Sequence, residues 1–219
     1  MSQDRHASPL NRPAPSDLGD REVARDGDAL AGVRVALLIT GSIAAFKAPM
    51  VARALRRQGA AVTAFASSEG LRYVTAETLA WSCDVPPITM LTPESEHLSD
   101  AAPFDIYLVA PATANTIAKT AHGIADGVIT ATLASALGRL EAGRAAVLVA
   151  PAMHGSMHTA ILDRNVRTLV DLGVVIVPPR DGAGKHNLAD EAVLVSAVVD
   201  AAQRLRTTAR GSALPRRPT

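Results

Sequence analysis

Asp105-Ile106-Tyr107-Leu108-Val109-Ala110 runs straight into Pro111-Ala112-Thr113-Ala114-Asn115-Thr116, and the pattern returns where Ala145-Ala146-Val147-Leu148-Val149-Ala150 meets Pro151-Ala152-Met153-His154. Both apolar runs have strand length without polar alternation, which is how a strand covered on both faces reads. Each then breaks into a small, polar segment opened by proline. In a parallel sheet the loops leaving the carboxyl ends of the strands line the ligand crevice, so both segments are expected to face one pocket.

Working outward, Val33 to Ile39 and Ala61 to Ala66 read as further strands, with Val174 to Val177 as the last. Helical spacing runs from Ile43 to Arg57, with Gly59 as a natural stop. More helices are expected at Glu69 to Trp81, Thr116 to Ala121, Gly127 to Leu137, Met157 to Leu172 and Asp190 to Arg204. This alternation predicts an α/β fold: a doubly wound parallel sheet in a Rossmann-like, flavodoxin-like, three-layer domain. The 219 residues suit one such domain, placed at 31–206. Residues 1–30, rich in Arg, Asp, Pro and Gly without an apolar period, are expected to form a mobile tail, as is the basic stretch 207–219.

Lys plus Arg number 22 against 21 Asp plus Glu, which gives no single-sign field to hold a nucleic acid. Aromatic residues make up 3%, too few for a base-stacking platform. The single cysteine, Cys83, leaves no intrachain disulfide and no multi-cysteine metal site, and its place in Ala80-Trp81-Ser82-Cys83 suits a buried structural thiol. The N-terminus has no apolar signal region and no run reaches membrane-spanning length. A cytoplasmic protein without membrane contact is the expectation.

Thr40-Gly41-Ser42-Ile43-Ala44-Ala45 marks the turn from the first strand into the first helix. Glycine allows close backbone approach, serine can cap the helix, and free amides at a helix N-terminus attract phosphate. A three-glycine dinucleotide fingerprint and a P-loop lysine are both missing. Read alone, the segment fits a mononucleotide cradle and an ordinary capped turn equally. Ser67-Ser68, leaving the second strand, can add hydroxyls to the same crevice.

Taken together, Gly41-Ser42-Ile43-Ala44-Ala45, His97-Leu98, Pro111 to Thr116, and Pro151-Ala152-Met153-His154 with Met157 resemble the homo-oligomeric flavin-containing cysteine decarboxylases. That family includes phosphopantothenoylcysteine decarboxylase and the peptidyl-cysteine decarboxylases of lantibiotic biosynthesis. The resemblance covers roughly Val33 to Arg204. It implies non-covalent FMN, with Gly41, Ser42 and Ile43 at its phosphate, Ser67 and Ser68 beside them, Thr113, Ala114, Asn115 and Thr116 around the ribityl chain and ring, and Ala152 against the flavin. It implies His97 as the catalytic histidine and His154, Met157, Arg180 and Lys185 as substrate-binding residues, with no metal. It implies a site between protomers of a homotrimer or a trimer-based dodecamer.

The activity so implied is FMN-dependent oxidative decarboxylation of a cysteinyl carboxylate, phosphopantothenoylcysteine or a peptide's terminal cysteine, to an enethiol or its reduced product. Two positions depart from the family pattern. His154 stands where many relatives carry asparagine, and the expected mobile flap, Pro179-Arg180-Asp181-Gly182-Ala183-Gly184-Lys185-His186-Asn187, has no cysteine. His122 reads as structural, and His158 has no matching role. A flavin-binding regulatory subunit and a prenyl-transferring flavin protein are the alternatives.

Overall fold

The structure is a computed structural model that describes residues 11, 13–98 and 103–212. Its strands are β1 (Arg34–Ile39), β2 (Ala61–Ala66), β3 (Ile106–Ala112), β4 (Ala146–Pro151), β5 (Met153–His154), β6 (Val175–Ile176), β7 (Arg180–Gly182) and β8 (Lys185–Asn187). Its α-helices are α1 (Ala48–Arg57), α2 (Ala76–Cys83), α3 (Ala114–Ala121), α4 (Val128–Glu141), α5 (Ala160–Asp171) and α6 (Glu191–Ser212). Five strands form a parallel sheet in the order β2-β1-β3-β4-β6. The chain steps outward from β1 to β2 and then returns across β1 to β3. That reversal opens a crevice at the carboxyl ends of β1 and β3.

Strand alternation distributes the core. Val35, Leu37 and Ile39 of β1 pack with Val51 and Leu55 of α1, Leu79 of α2, and Leu194 and Val198 of α6. Ala36 and Leu38 point the other way, toward Ile117 of α3, Leu133 of α4, and Leu162 and Leu169 of α5. Helices therefore cover both faces, giving the expected doubly wound α/β domain.

Four features differ from the sequence reading. The helix expected from Ile43 begins as a 3-10 turn, Ile43–Lys47, and becomes α-helical only at Ala48, with Pro49 in the first turn, where its missing amide proton costs nothing. Pro111, Ala112 and Pro151 belong to their strands rather than to the loops beyond them. The Ala152 amide extends the β3–β4 ladder by donating to the Ala112 carbonyl at 3.0 Å, past a register shift between Val109 and Ala112. A second sheet, antiparallel in the order β5-β8-β7, was not foreseen, since strands of two or three residues carry no readable period.

The fourth difference concerns the ends. Within the stretch expected to be mobile, Leu30 is fully buried, and the amides of Asp26 and Leu30 donate to the Arg57 and Gln58 carbonyls at 2.9 and 2.8 Å. Those carbonyls close α1 and have no partner further along the helix, so the incoming segment satisfies them. At the other end α6 continues to Ser212 instead of stopping near Arg204. Residues 1–10, 12 and 213–219 of the expected tails lie outside the described residues. Deleting residues 1–20 is expected to leave the melting temperature unchanged, whereas deletion through Gly32 removes the Leu30 plug and lowers it by roughly 5–10 °C, read by differential scanning calorimetry.

Candidate functional site

β1 delivers Thr40, which is buried at the floor of the crevice. Its Oγ1 donates to the Pro111 carbonyl at 2.7 Å and accepts the Thr113 amide at 3.2 Å, tying the exits of β1 and β3 together. Gly41 follows, and a Cβ there would lie 2.5 Å from the Glu69 Cβ, so the loops leaving β1 and β2 touch at a position only glycine fits. Ser42 caps the 3-10 turn, its Oγ accepting the Ala44 amide at 3.3 Å.

Ser67 uses its hydroxyl within the fold, accepting the Gly70 amide at 3.0 Å, while Ser68 is exposed. Thr113 caps α3, with its Oγ1 accepting the Thr116 amide at 3.3 Å and lying 3.0 Å from the Thr116 hydroxyl. Asn115 in the first turn of α3 is exposed, and Ala152 is buried beyond β4.

These segments surround one cavity of about 1020 Å³, lined by Gly41, Ser42, Ile43, Ser67, Ser68, Thr113, Ala114, Asn115, Thr116 and Ala152, and at its far side by His154, Met157, Arg180 and Lys185. All fourteen predicted cofactor and substrate positions thus meet in one place. Its floor mixes hydroxyls and helix N-termini with the apolar walls of Ile43, Phe46, Val128, Ile129 and Met153. Amides and hydroxyls at one end and apolar flanks at the other fit a phosphorylated planar ring system.

His154 carries a defined proton. The Ser156 amide donates to its Nδ1 at 3.1 Å, so the ring's hydrogen resides on Nε2, where a neutral imidazole can donate to a carboxylate. The departure from asparagine therefore keeps a donor in place. The flap segment is a two-residue β-hairpin, β7–β8, whose turn residues Ala183 and Gly184 have φ of 50° and 68° and whose strand β8 pairs with β5. Gly155 seats its tip: the Gly155 amide donates to the Gly184 carbonyl at 2.9 Å, and a Cβ there would overlap that oxygen.

His97 stands apart. It is half-buried, its Nδ1 has no partner among the described residues, and it does not line the cavity. Residues missed by sequence reasoning lie on α3, on α4 and in the turn that joins them. Lys119 donates to Asp126 at 2.6 Å and holds that carboxyl below its usual range, aided by Thr130, and all three line the cavity. The Asp126-Gly127 turn with Thr130 three residues after the glycine was the available signal, as the Gly127 amide donates to Thr130 Oγ1 at 3.0 Å.

Cys83 is buried, and burial pushes its thiol up to about 11, with Arg56 pulling weakly the other way. The folded state therefore holds its proton at pH values where the unfolded chain has released it, so the thiol's contribution to stability is present below about 9 and lost as pH rises toward 11. Maleimide labelling is expected only after unfolding. Labelling of the native protein at neutral pH would contradict this placement.

A family model described as Flavoprotein matches residues 24–203. The chain is 34% identical over 175 residues to the coenzyme A biosynthesis bifunctional protein CoaBC of Thermococcus kodakarensis, covering 78% of this chain and 42% of that protein. It is 31% identical over 153 residues to the probable phosphopantothenoylcysteine decarboxylase of Streptococcus mutans, covering 67% of this chain and 83% of the relative. The chain thus spans about two fifths of the length of the bifunctional relative it matches. Among solved structures, the FMN-dependent cysteine decarboxylase SpaF superposes with a TM-score of 0.67 at 28% identity, covering 78% of this chain and 98% of SpaF. A PPC decarboxylase mutant complexed with pantothenoylaminoethenethiol superposes with a TM-score of 0.61 at 25% identity, covering 76% and 96%. The match across most of the domain and the convergence of the strand-end segments on one cavity have the same meaning: the chain belongs to the Flavoprotein family.

Proposed function

We propose that this protein binds FMN in the strand-end cavity and uses it to decarboxylate a cysteinyl carboxylate. The observation that carries this reading is the convergence of Gly41 to Ile43, Ser67-Ser68, Thr113 to Thr116 and Ala152 to His154 around one cavity. Gly41, Ser42 and Ile43 hold the phosphate at the start of the 3-10 turn. Asn115 and Thr116 would meet the ribityl chain, with Ala152 beside the ring. Bound FMN supplies a hydride acceptor for the thiol-bearing carbon, creating the electron sink that loss of carbon dioxide from cysteine otherwise lacks.

On the substrate side, His154 Nε2–H donates to the carboxylate, holding it until it leaves as carbon dioxide. Arg180 and Lys185 meet the substrate's more distant anionic groups. Cys83 is the chain's single cysteine and is buried, so no thiol of this chain reaches the cavity to reduce the product. The released product would therefore be the enethiol, with the two electrons taken up by the flavin passed on to an external acceptor such as dioxygen.

The site is completed by a second copy in a trimer-based homo-oligomer. Ile43, Phe46 and Met50 are more than half exposed beside the cavity, an apolar patch suited to burial against a neighbour. That neighbour's His97 then serves as the base for the substrate thiol.

Incubating the flavin-loaded protein with phosphopantothenoylcysteine and with a cysteine-terminated peptide should give a mass loss of one carbon dioxide and two hydrogens from one of them. A yellow protein that converts neither is a flavin-binding protein without this activity.

A further inference from the structure

Four side chains join hairpin β7–β8 to the body of the domain, and none has a part in the chemistry above. Asp163 Oδ1 lies 2.9 Å from His158 Nε2, His158 Nδ1 lies 2.7 Å from His186 Nε2, and His186 Nδ1 lies 2.6 Å from Asp181 Oδ1. The outer ring nitrogens face carboxylates, which only accept, so each outer nitrogen carries a hydrogen. The inner contact also needs a hydrogen, because two lone pairs at that separation repel. Three protons on four ring nitrogens is one more than two neutral imidazoles hold. With that inner hydrogen in place, the pair shares one positive charge between two negative ends.

The placement of this chain gives it leverage. Asp181 and His186 are directly opposite in the β7–β8 register, and His186 is also opposite Met153 of β5. Side chains alternate along a strand, so Arg180, Lys185 and His154 occupy the other face of the same small sheet. His158 and Asp163 belong to the turn before α5 and to its first turn. Among the described residues, and apart from the tip contact at Gly155, the hairpin's main-chain hold on the body is the two residue pairs between β5 and β8. The charged groups around the histidine pair are Asp163 of α5, Asp181 of β7, His154 of β5, Lys185 of β8, and Arg180, whose Nε lies 3.5 Å from Asp190.

We propose that Asp163, His158, His186 and Asp181 form a proton-held clasp that locks hairpin β7–β8 in place and so positions Arg180 and Lys185 at the cavity rim. When the shared proton is lost, the inner contact turns repulsive and the hairpin is released. His158 and His186 are positioning residues, and the inference rests on the proposed function only for what Arg180 and Lys185 bind.

Amide hydrogen exchange of residues 180–187 in the flavin-loaded protein, normalised to unstructured-peptide rates, tests the clasp directly. Protection in the wild type should fall on the order of tenfold between about pH 6 and about pH 9, the effect of losing one hydrogen bond to a charged group. His158→Phe should exchange fast at both values, with β1 to β4 unchanged in either protein. Equal wild-type protection at the two values, or a His158→Phe hairpin that keeps the wild-type pH response, would overturn the proposal. Should His158→Phe fail to fold, Asp163→Asn at the α5 end of the chain must shift the same transition or the clasp is wrong. Exchange needs no turnover, so the clasp can stand if the decarboxylase reading falls. Where substrate is turned over, His158→Phe should raise KM with kcat retained, and a loss confined to kcat would remove the positioning role.

Discussion

Thr40→Val is expected to lower the free energy of unfolding by about 2–5 kcal/mol and to release the flavin, although valine matches threonine in shape. Oγ1 of Thr40 is the shared partner of the Pro111 carbonyl and the Thr113 amide. Both groups are at the floor of the cavity, where the Thr40 side chain is buried, and valine offers neither of them a partner. The cost is that of two buried polar groups left without partners, well above the average value of a hydrogen bond. The effect on cofactor retention follows from geometry, since Thr113 also caps α3 and fixes the first turn that presents Asn115. Urea unfolding of the apo-protein together with flavin absorbance of the purified variant measures both effects. Thr40→Ser keeps the oxygen and should recover most of the stability. A valine variant as stable and as yellow as the wild type would show that the β1 and β3 exits do not depend on this link.

His97→Asn is expected to leave flavin binding intact and to reduce turnover by roughly a hundredfold to ten-thousandfold, the range for loss of a general base. Within one protomer His97 is away from the cavity, and its Nδ1 has no partner among the described residues. If a neighbouring copy supplies it, His97→Asn subunits mixed with subunits that cannot bind flavin should regain activity, because some sites then combine an intact flavin pocket with an intact histidine. Gly41→Val provides that second kind of subunit, through its overlap with Glu69. Mixed oligomers as inactive as their parents would place the histidine's role within one chain.

The sequence was most legible where burial on both faces writes an uninterrupted apolar run. Ala61 to Ala66 is the β2 strand residue for residue, and Gly59, expected to stop α1, has φ of 90°. The cofactor side of the site was legible for a related reason: strand-end loops occupy fixed places once the sheet order is known. Legibility failed where long-range pairing rather than local pattern decides structure. Pro111 and Pro151 signal a break, yet both strands run through them, because Thr40 Oγ1 donates to the Pro111 carbonyl and the ladder resumes past Pro151 with the Ala152 amide donating to the Ala112 carbonyl. Leu30 stands in a stretch without an apolar period, and its place in the core follows from its amide's bond to the Gln58 carbonyl that closes α1. The histidine pair was illegible altogether, since His158 and His186 are 28 residues apart and meet only when the hairpin folds back.

Hairpin β7–β8 contributes no strand to the five-stranded sheet and none of its residues to the two apolar cores. Its sequence can therefore drift, or be exchanged for that of another member of the family, without endangering the fold or the cradle beneath it. If Arg180 and Lys185 bind the substrate as proposed, substrate selectivity and the capacity to hold a flavin are separately inheritable traits. A chimaera carrying a foreign segment 178–187, joined at Val177 and Leu188 where the chain is again buried, is the natural unit in which to trade one for another without disturbing the rest.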